Sequence, residues 1–363
     1  MRMPFFPNPN RRSVLQSTLL AVSAGVASTF HIRAQSKTDP TDGIAIGHGD
    51  FRYRVDKQWS KANAATHPVK DCHEMVQSAD GRLFLLTNEK RNNVLIYETD
   101  GTLIDAWTLG WSGAHGLSIN READGSEHLY VTDTSGGKVV KTTLGGEVQM
   151  ELPHPAAVGA YSDKLDYRPT ETAIGPNGDI YVADGYGSQW ILRFDASGTF
   201  LSKFGGKSTQ PVNAGKFMQA HGVALDTRGP EPLVVSTARI RNEFHWFTLD
   251  GEFVRTVYLP GAYVSRPVIA GNHLYSGVCF GTFENDFRMW QGRGFVTILD
   301  EEDRVISNPG GGAPEYRHGK LAQMVQAEPV FKNCHDVCVD TAGDLYVCQW
   351  NSDRVYPFKL HRE

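Results

Sequence analysis

Cysteine is scarce. Five residues in 363 are too few and too scattered for a disulfide scaffold, and none stands in a CxxC spacing that would hold zinc or cycle redox. Basic clusters are missing too: 36 Lys and Arg face 41 Asp and Glu, and no window joins a Lys/Arg run to interleaved aromatics, so nucleic acid is not expected as a partner. Beyond the first 34 residues no apolar run is long enough to cross a bilayer, and no membrane span is expected there. A sustained helical period is also absent, which leaves the 37 glycines to be explained as turns between short strands.

The first residues read as an address. Arg11 and Arg12 precede an apolar stretch from Val14 to Phe30, and Ile32, Arg33 and Ala34 offer a cleavage site before Gln35. The pattern is similar to a Tat-type export signal. Residues 1–34 are therefore expected to be a signal peptide, and residues 35–363 an exported domain, periplasmic or extracellular. The segment carries four arginines and no acid, so its removal would take the net charge from −5 to −9.

A repeat runs along the rest of the chain. Each unit has a short apolar strand opened by a polar residue, a tight turn such as Asp80-Gly81 or Asn177-Gly178, a second strand such as Leu129-Tyr130-Val131, a third, and a fourth introduced by a motif such as Asp100-Gly101 or Asp250-Gly251. Six such units argue for an all-β fold, a six-bladed β-propeller of four-stranded blades. The pattern is that of NHL-type repeats. The sixth unit stops after a third strand at Val355 to Phe358, and the alternating segment Phe51 to Asp56 belongs to no unit of its own. It is expected to supply the missing outer strand, closing the ring and removing an exposed edge.

The long loops, 152–169, 205–220, 280–293 and 307–334, all fall on one face, which makes that face the expected mouth. The opening position of each inner strand lies on the same face, beside the axis. It reads His73, His115, Thr170, His221, a Pro/Arg slot near 266 and 267, and His335. A single histidine at a strand start is usually a satisfied polar residue. Four in six equivalent slots, drawn from 13 in the chain, point instead to a metal. His115, His221 and His335 alternate around the ring and would leave a fourth coordination position open, as catalytic zinc requires; copper, iron or nickel would also accept imidazoles. His73 would be a fourth ligand or face the substrate. Second-strand ends bring Asp184, Gly185, Tyr186, Arg91, Arg239, Arg241 and Gln349 to the same mouth. A tyrosine there can act as a base if cations lower its pKa, and an arginine can clamp a carboxylate. Otherwise they cap turns and meet solvent. The insert Phe280 to Arg293 is either a lid or packing for blade five. Buried free thiols are expected at the cysteines.

The segments Ala114-His115-Gly116-Leu117, Thr170-Glu171-Thr172 with Asp184-Gly185-Tyr186, Ala220-His221-Gly222 and Cys334-His335-Asp336 resemble, in order, the blade starts of the peptidyl-α-hydroxyglycine α-amidating lyases. That resemblance covers all six repeats. It implies zinc on His115, His221 and His335, Tyr186 as base, an arginine on the substrate carboxylate, and a structural calcium held by Asp336 with the backbone carbonyls of Leu117 and Met75. The carboxylate-binding arginine is displaced here: Arg91 lies two or three positions from its expected place and Arg239 about one. His73 stands where the family has a small residue, and the copper monooxygenase domain that elsewhere makes the substrate is missing. The expected activity is thus a C–N lyase acting on a small-molecule or peptide α-hydroxy amide, in a monomer. The alternatives are another metal-dependent propeller hydrolase, such as a lactonase or esterase, and a non-catalytic NHL binding module.

Overall fold

A computed structural model of the chain describes residues 39–210 and 214–363; the expected signal peptide lies outside the described residues. Nearly all regular structure is strand. Each of blades one to four is one antiparallel sheet of four consecutive strands. Blade one runs Cys72–Gln77, Leu83–Thr87, Val94–Tyr97 and Leu103–Trp107. Blade two begins at Ala114–Arg121, blade three at Glu171–Ile174 and blade four at Ala220–Asp226. Blade five begins at Tyr263–Ala270, and its second strand, His273–Phe283, continues past the sheet into a ribbon with Asp286–Trp290.

Blade six pairs Cys334–Val339 with Leu345–Gln349 and then with Phe358–Arg362. Its third strand therefore starts where the expected one ends. Pro357 has no N–H to give to the ladder, so pairing begins only after it. On the outer side Phe51–Asp56 adds antiparallel to Phe358–Arg362, with Tyr53 opposite Arg362 and Val55 opposite Leu360. This joins segments about three hundred residues apart.

The apolar core is divided among the blades. Six buried clusters are found among the described residues, each made by two neighbouring sheets: Phe84, Leu86 and Val94 of blade one meet Leu117 and Val131 of blade two, and Cys338 and Tyr346 of blade six meet Leu85 and Tyr97 of blade one. Outer strands such as Leu103–Trp107 and Phe253–Tyr258 are largely exposed, so polar alternation survives only at the rim.

Inner strands crowd at the axis. A Cβ on Gly116 would lie 2.4 Å from the carbonyl oxygen of Thr170, and one on Gly222 would lie 2.6 Å from Cα of Arg266. Side chains there would push the blades apart, which is why glycine follows His115 and His221. The ladder also slips at the same height: register shifts fall between Cys72 and Glu74, Ala114 and Leu117, Ala220 and Val223, Val264 and Pro267, and Cys334 and Asp336. Such bulges break strict alternation, and consecutive residues of one strand can then both serve the channel.

Candidate metal centre and active site

Two layers of side chains occupy the axis. The upper layer holds His73, His115, Thr170, His221, Ser265 and His335. The slot expected near 266 and 267 is filled instead by Ser265, which stands in its bulge as His73, His115, His221 and His335 do in theirs. The lower layer holds Glu74, Gly116, Glu171, Gly222, Arg266 and Asp336.

All four upper histidines are buried. Ring centroids lie 4.7 Å apart for His73 and His115, 4.7 Å for His73 and His335, 4.8 Å for His115 and His221, 4.8 Å for His115 and His335, and 4.9 Å for His221 and His335. Backbone acceptors set two tautomers. His115 Nδ1 donates to Thr170 O at 2.9 Å and His335 Nδ1 donates to His73 O at 3.0 Å, which leaves Nε2 of each as a lone pair facing inward. Metal-binding histidines are oriented in this way by their outer partners. Nε2 of His335, Nδ1 of His73 and Nδ1 of His221 have no hydrogen-bond partner although buried; buried polar atoms are rarely left so without a ligand. The compact set of candidate ligand atoms is His73, His115 and His335, within 4.8 Å of one another. His221 stands beside it with Nε2 3.0 Å from the Tyr186 hydroxyl. The donor set fits a metal that accepts imidazole.

Burial holds these imidazoles neutral. It takes His73 down to about 3, with Lys70 and Arg239 adding to the effect, and it lowers His115, His221 and His335 well below the ordinary histidine range. Neutral imidazole is the ligand form.

Tyr186 joins the centre from the end of blade three's second strand. Its hydroxyl lies 3.2 Å from His115 Nε2 and 3.0 Å from His221 Nε2. Since His115 Nε2 carries the lone pair, the phenol donates to it. The loop is fixed by buried Asp184, which accepts Arg168 N–H at 2.7 Å, Ser188 N–H at 2.7 Å and the Tyr161 hydroxyl at 2.8 Å. Burial pushes the Tyr186 phenol upward; Arg239 and Arg168 pull it back without reversing the direction. The depression by cations considered from the sequence is therefore only a partial offset in this arrangement.

The arginines separate. Arg239 is buried, donates from Nε to Val264 O at 3.2 Å and from Nη2 to Ser265 Oγ at 2.7 Å, and sits 5.8 Å from the Phe280 ring. Arg168 lies over the Tyr186 ring at 5.9 Å. The sequence reading missed Arg168 as a site residue, although it stands two positions before the Thr170 slot. Arg91 is not brought to the centre: it is exposed and paired with Glu89 at 2.9 Å, a contact two residues away that needs no tertiary structure. Arg241 pairs with Glu243. The insert of blade five touches its own sheet where the Tyr263 hydroxyl donates to Phe287 O at 2.9 Å. Phe283, Phe287, Met289 and Trp290 remain exposed on the ribbon, beside the loop of blade six that it touches through Gln291 and Asn351. All five cysteines are buried free thiols.

The calcium expected on Asp336, Leu117 and Met75 does not fit. Those atoms are engaged by the guanidinium of Arg266: Nε and Nη2 reach the Asp336 carboxylate at 3.0 and 2.8 Å, Nη1 reaches Leu117 O at 2.7 Å, and Nη2 reaches Met75 O at 3.1 Å. Calcium needs six to eight oxygens at roughly 2.3–2.6 Å, and the guanidinium atoms stand where it would.

No family model matches the chain. It is 31% identical over 135 residues to a probable peptidyl-alpha-hydroxyglycine alpha-amidating lyase of Caenorhabditis elegans, covering 36% of this chain and 37% of that one. It is 24% identical over 249 residues to peptidyl-glycine alpha-amidating monooxygenase A of Xenopus laevis, covering 67% and 24%. The chain thus spans between a quarter and just over a third of these curated relatives. Among solved structures, a gluconolactonase of Xanthomonas campestris superposes with a TM-score of 0.54 at 13% identity, over 89% of this chain and 95% of that one. A streptogramin B lyase superposes with a TM-score of 0.53 at 12% identity, over 86% and 98%. At such identities the structures speak for the propeller fold alone. Among the described residues no helix is long and apolar enough to cross a membrane.

Proposed function

We propose that this protein is an exported, zinc-dependent lyase that breaks the C–N bond of an N-substituted α-hydroxyglycine, or a related α-hydroxy amide, to give glyoxylate and an amide. One observation carries the reading: His73, His115, His221 and His335 converge beside the Tyr186 hydroxyl, with the lone pairs of His115 and His335 turned inward by backbone acceptors. The amidating lyases among the distant relatives support it. His115 and His335 would hold the metal, with either His221 or His73 as the third ligand. Zinc suits an all-imidazole donor set with an open position, and when bound it would supply Lewis-acid polarisation of a substrate oxygen.

The remaining work falls to the chain. The reaction needs one proton taken from the hydroxyl and one delivered to nitrogen. The O–H pair becomes the second bond of the glyoxylate carbonyl while the C–N pair leaves with the nitrogen, so no water is consumed. As a phenolate, its own proton lost when a bound metal takes up the neighbouring imidazole lone pairs and adds positive charge there, Tyr186 would receive the hydroxyl proton and return it to the departing nitrogen. Arg239 and Arg168 are the nearby cations that can orient the substrate carboxylate, in place of the solvent-facing Arg91.

The test is glyoxylate release from α-hydroxyhippurate by the purified protein, stripped with chelator and then reloaded with zinc. Release that vanishes on stripping and returns on loading is expected. No release at any metal loading refutes the reading.

A further inference from the structure

The lower layer of the channel is a tertiary ion cluster made from one cation and three acids. Arg266 starts on blade five and crosses the axis. Its guanidinium binds Asp336 of blade six, Leu117 O of blade two and Met75 O of blade one. It also lies 3.5 Å from Glu74 and 3.9 Å from Glu171. Arg266, Glu74, Glu171 and Asp336 are all buried. The acids are held in turn: Asp336 accepts Met75 N–H at 3.0 Å, Glu74 accepts Leu117 N–H at 2.6 Å and Glu171 accepts Thr172 N–H at 2.8 Å. Gly116 and Gly222 occupy the same layer, where a Cβ would meet the neighbouring inner strand.

We propose that Arg266 is a built-in substitute for a divalent cation at the propeller axis, so that this chain ties its blades together with a tethered guanidinium and needs no calcium to do so. The argument is one of chemistry and place. A guanidinium is planar, permanently charged and offers five N–H donors, and here it makes four hydrogen bonds to the carboxylate and carbonyl oxygens that would otherwise make a hard-cation site. Because the cation is covalently attached to blade five, it cannot be removed by chelation or diluted away. Three carboxyl groups and two carbonyls also remain if the side chain is cut back. Removing it should therefore expose an oxygen-rich cavity with excess negative charge, which calcium can fill.

The experiment reads thermal unfolding and bound metal, so its outcome is independent of whether the protein is a lyase. Wild-type protein is treated with EGTA, desalted, and restored with zinc alone or with zinc plus calcium. Its Tm is expected to differ by less than about 1 °C between the two, with no calcium retained. Arg266→Ala is expected to melt lower with zinc alone. With calcium at about a hundredfold over its dissociation constant it should recover at least about 5 °C and retain about one calcium ion per chain. Wild-type protein that binds one calcium per chain, or gains about 5 °C from it, overturns the proposal. So does a folded Arg266→Ala variant that is indifferent to calcium. If that variant does not fold under either condition, Arg266→Lys replaces it: a tethered ammonium should leave the protein calcium-indifferent, whereas calcium-dependent melting of the lysine variant counts against the substitution. The wild-type arm decides in every case.

Discussion

The same six inner strands present one residue to the upper layer of the channel and the next residue to the lower one, yet the two layers behave as opposites. In the lower layer Arg266 is held by Asp336 and two carbonyls and faces Glu74 and Glu171, so the cation is partnered across the blades although Glu74 Oε1 and Glu171 Oε2 make no hydrogen bond. In the upper layer buried nitrogens of His73, His221 and His335 find no partner within the protein. Burial costs the same kind of desolvation in both places. Where a tethered cation offsets it, the cluster serves the fold; where imidazole lone pairs converge with no cation among them, the cluster is ready for a ligand.

The sharpest way to break this comparison is at His335. Its replacement by alanine should remove the metal and lower kcat/KM on the order of a thousandfold or more, since a Lewis acid supplies several kcal/mol at the transition state. Metal analysis and glyoxylate release check it, and an unchanged circular dichroism spectrum shows that the fold is spared. Tyr186→Phe should lower kcat about a hundredfold to ten-thousandfold while metal content stays at the wild-type level. Retained metal separates a proton carrier from a ligand. Arg266→Ala should do the reverse of both, costing about 3–5 kcal/mol of stability by leaving buried acids unpaired, with the folded fraction keeping activity within a few-fold. Denaturant unfolding beside the assay measures this.

The smallest effect concerns pH. The folded pKa of His73 is depressed to about 3, against an ordinary value of 6.5. The unfolded chain therefore binds the proton first as pH falls, so the stability tied to neutral His73 is present above pH 6.5 and lost below it. In metal-free protein the loss at pH 5 should be about 2 kcal/mol from this residue. His73→Asn should flatten that part of the profile. A profile unchanged by the substitution would mean that His73 is not held neutral by its surroundings. Among the upper histidines, comparing metal retention in His73→Ala and His221→Ala distinguishes the compact set His73, His115 and His335 from the alternating set His115, His221 and His335.

Much of this was open to a reader of the sequence. Strand alternation and Asp-Gly or Asn-Gly turns are local chemistry, so six repeats and the histidine slot could be counted before any coordinates. Blade five was the exception: its repeat is degenerate and its inner strand slips a second time, between Tyr263 and Val264, so the slot was placed at Arg266 and Pro267 rather than at Ser265. Arg91 misled for a related reason. Chain position places an arginine near the mouth, but a pairing two residues away with Glu89 turns it to solvent. Arg168 had its signal in its spacing before Thr170, and Glu74, Glu171 and Asp336 had theirs in the position after each slot.

By itself the order of residues determined which positions face the axis in five of the six blades, because strand period and turn chemistry act over a few neighbours. What those positions hold was decided by tertiary structure alone. A side chain as long as arginine, entering from one blade, reaches carbonyls and carboxylates of three others. Whether oxygens that could hold a metal are already taken depends on atoms 70 to 191 residues away in the chain.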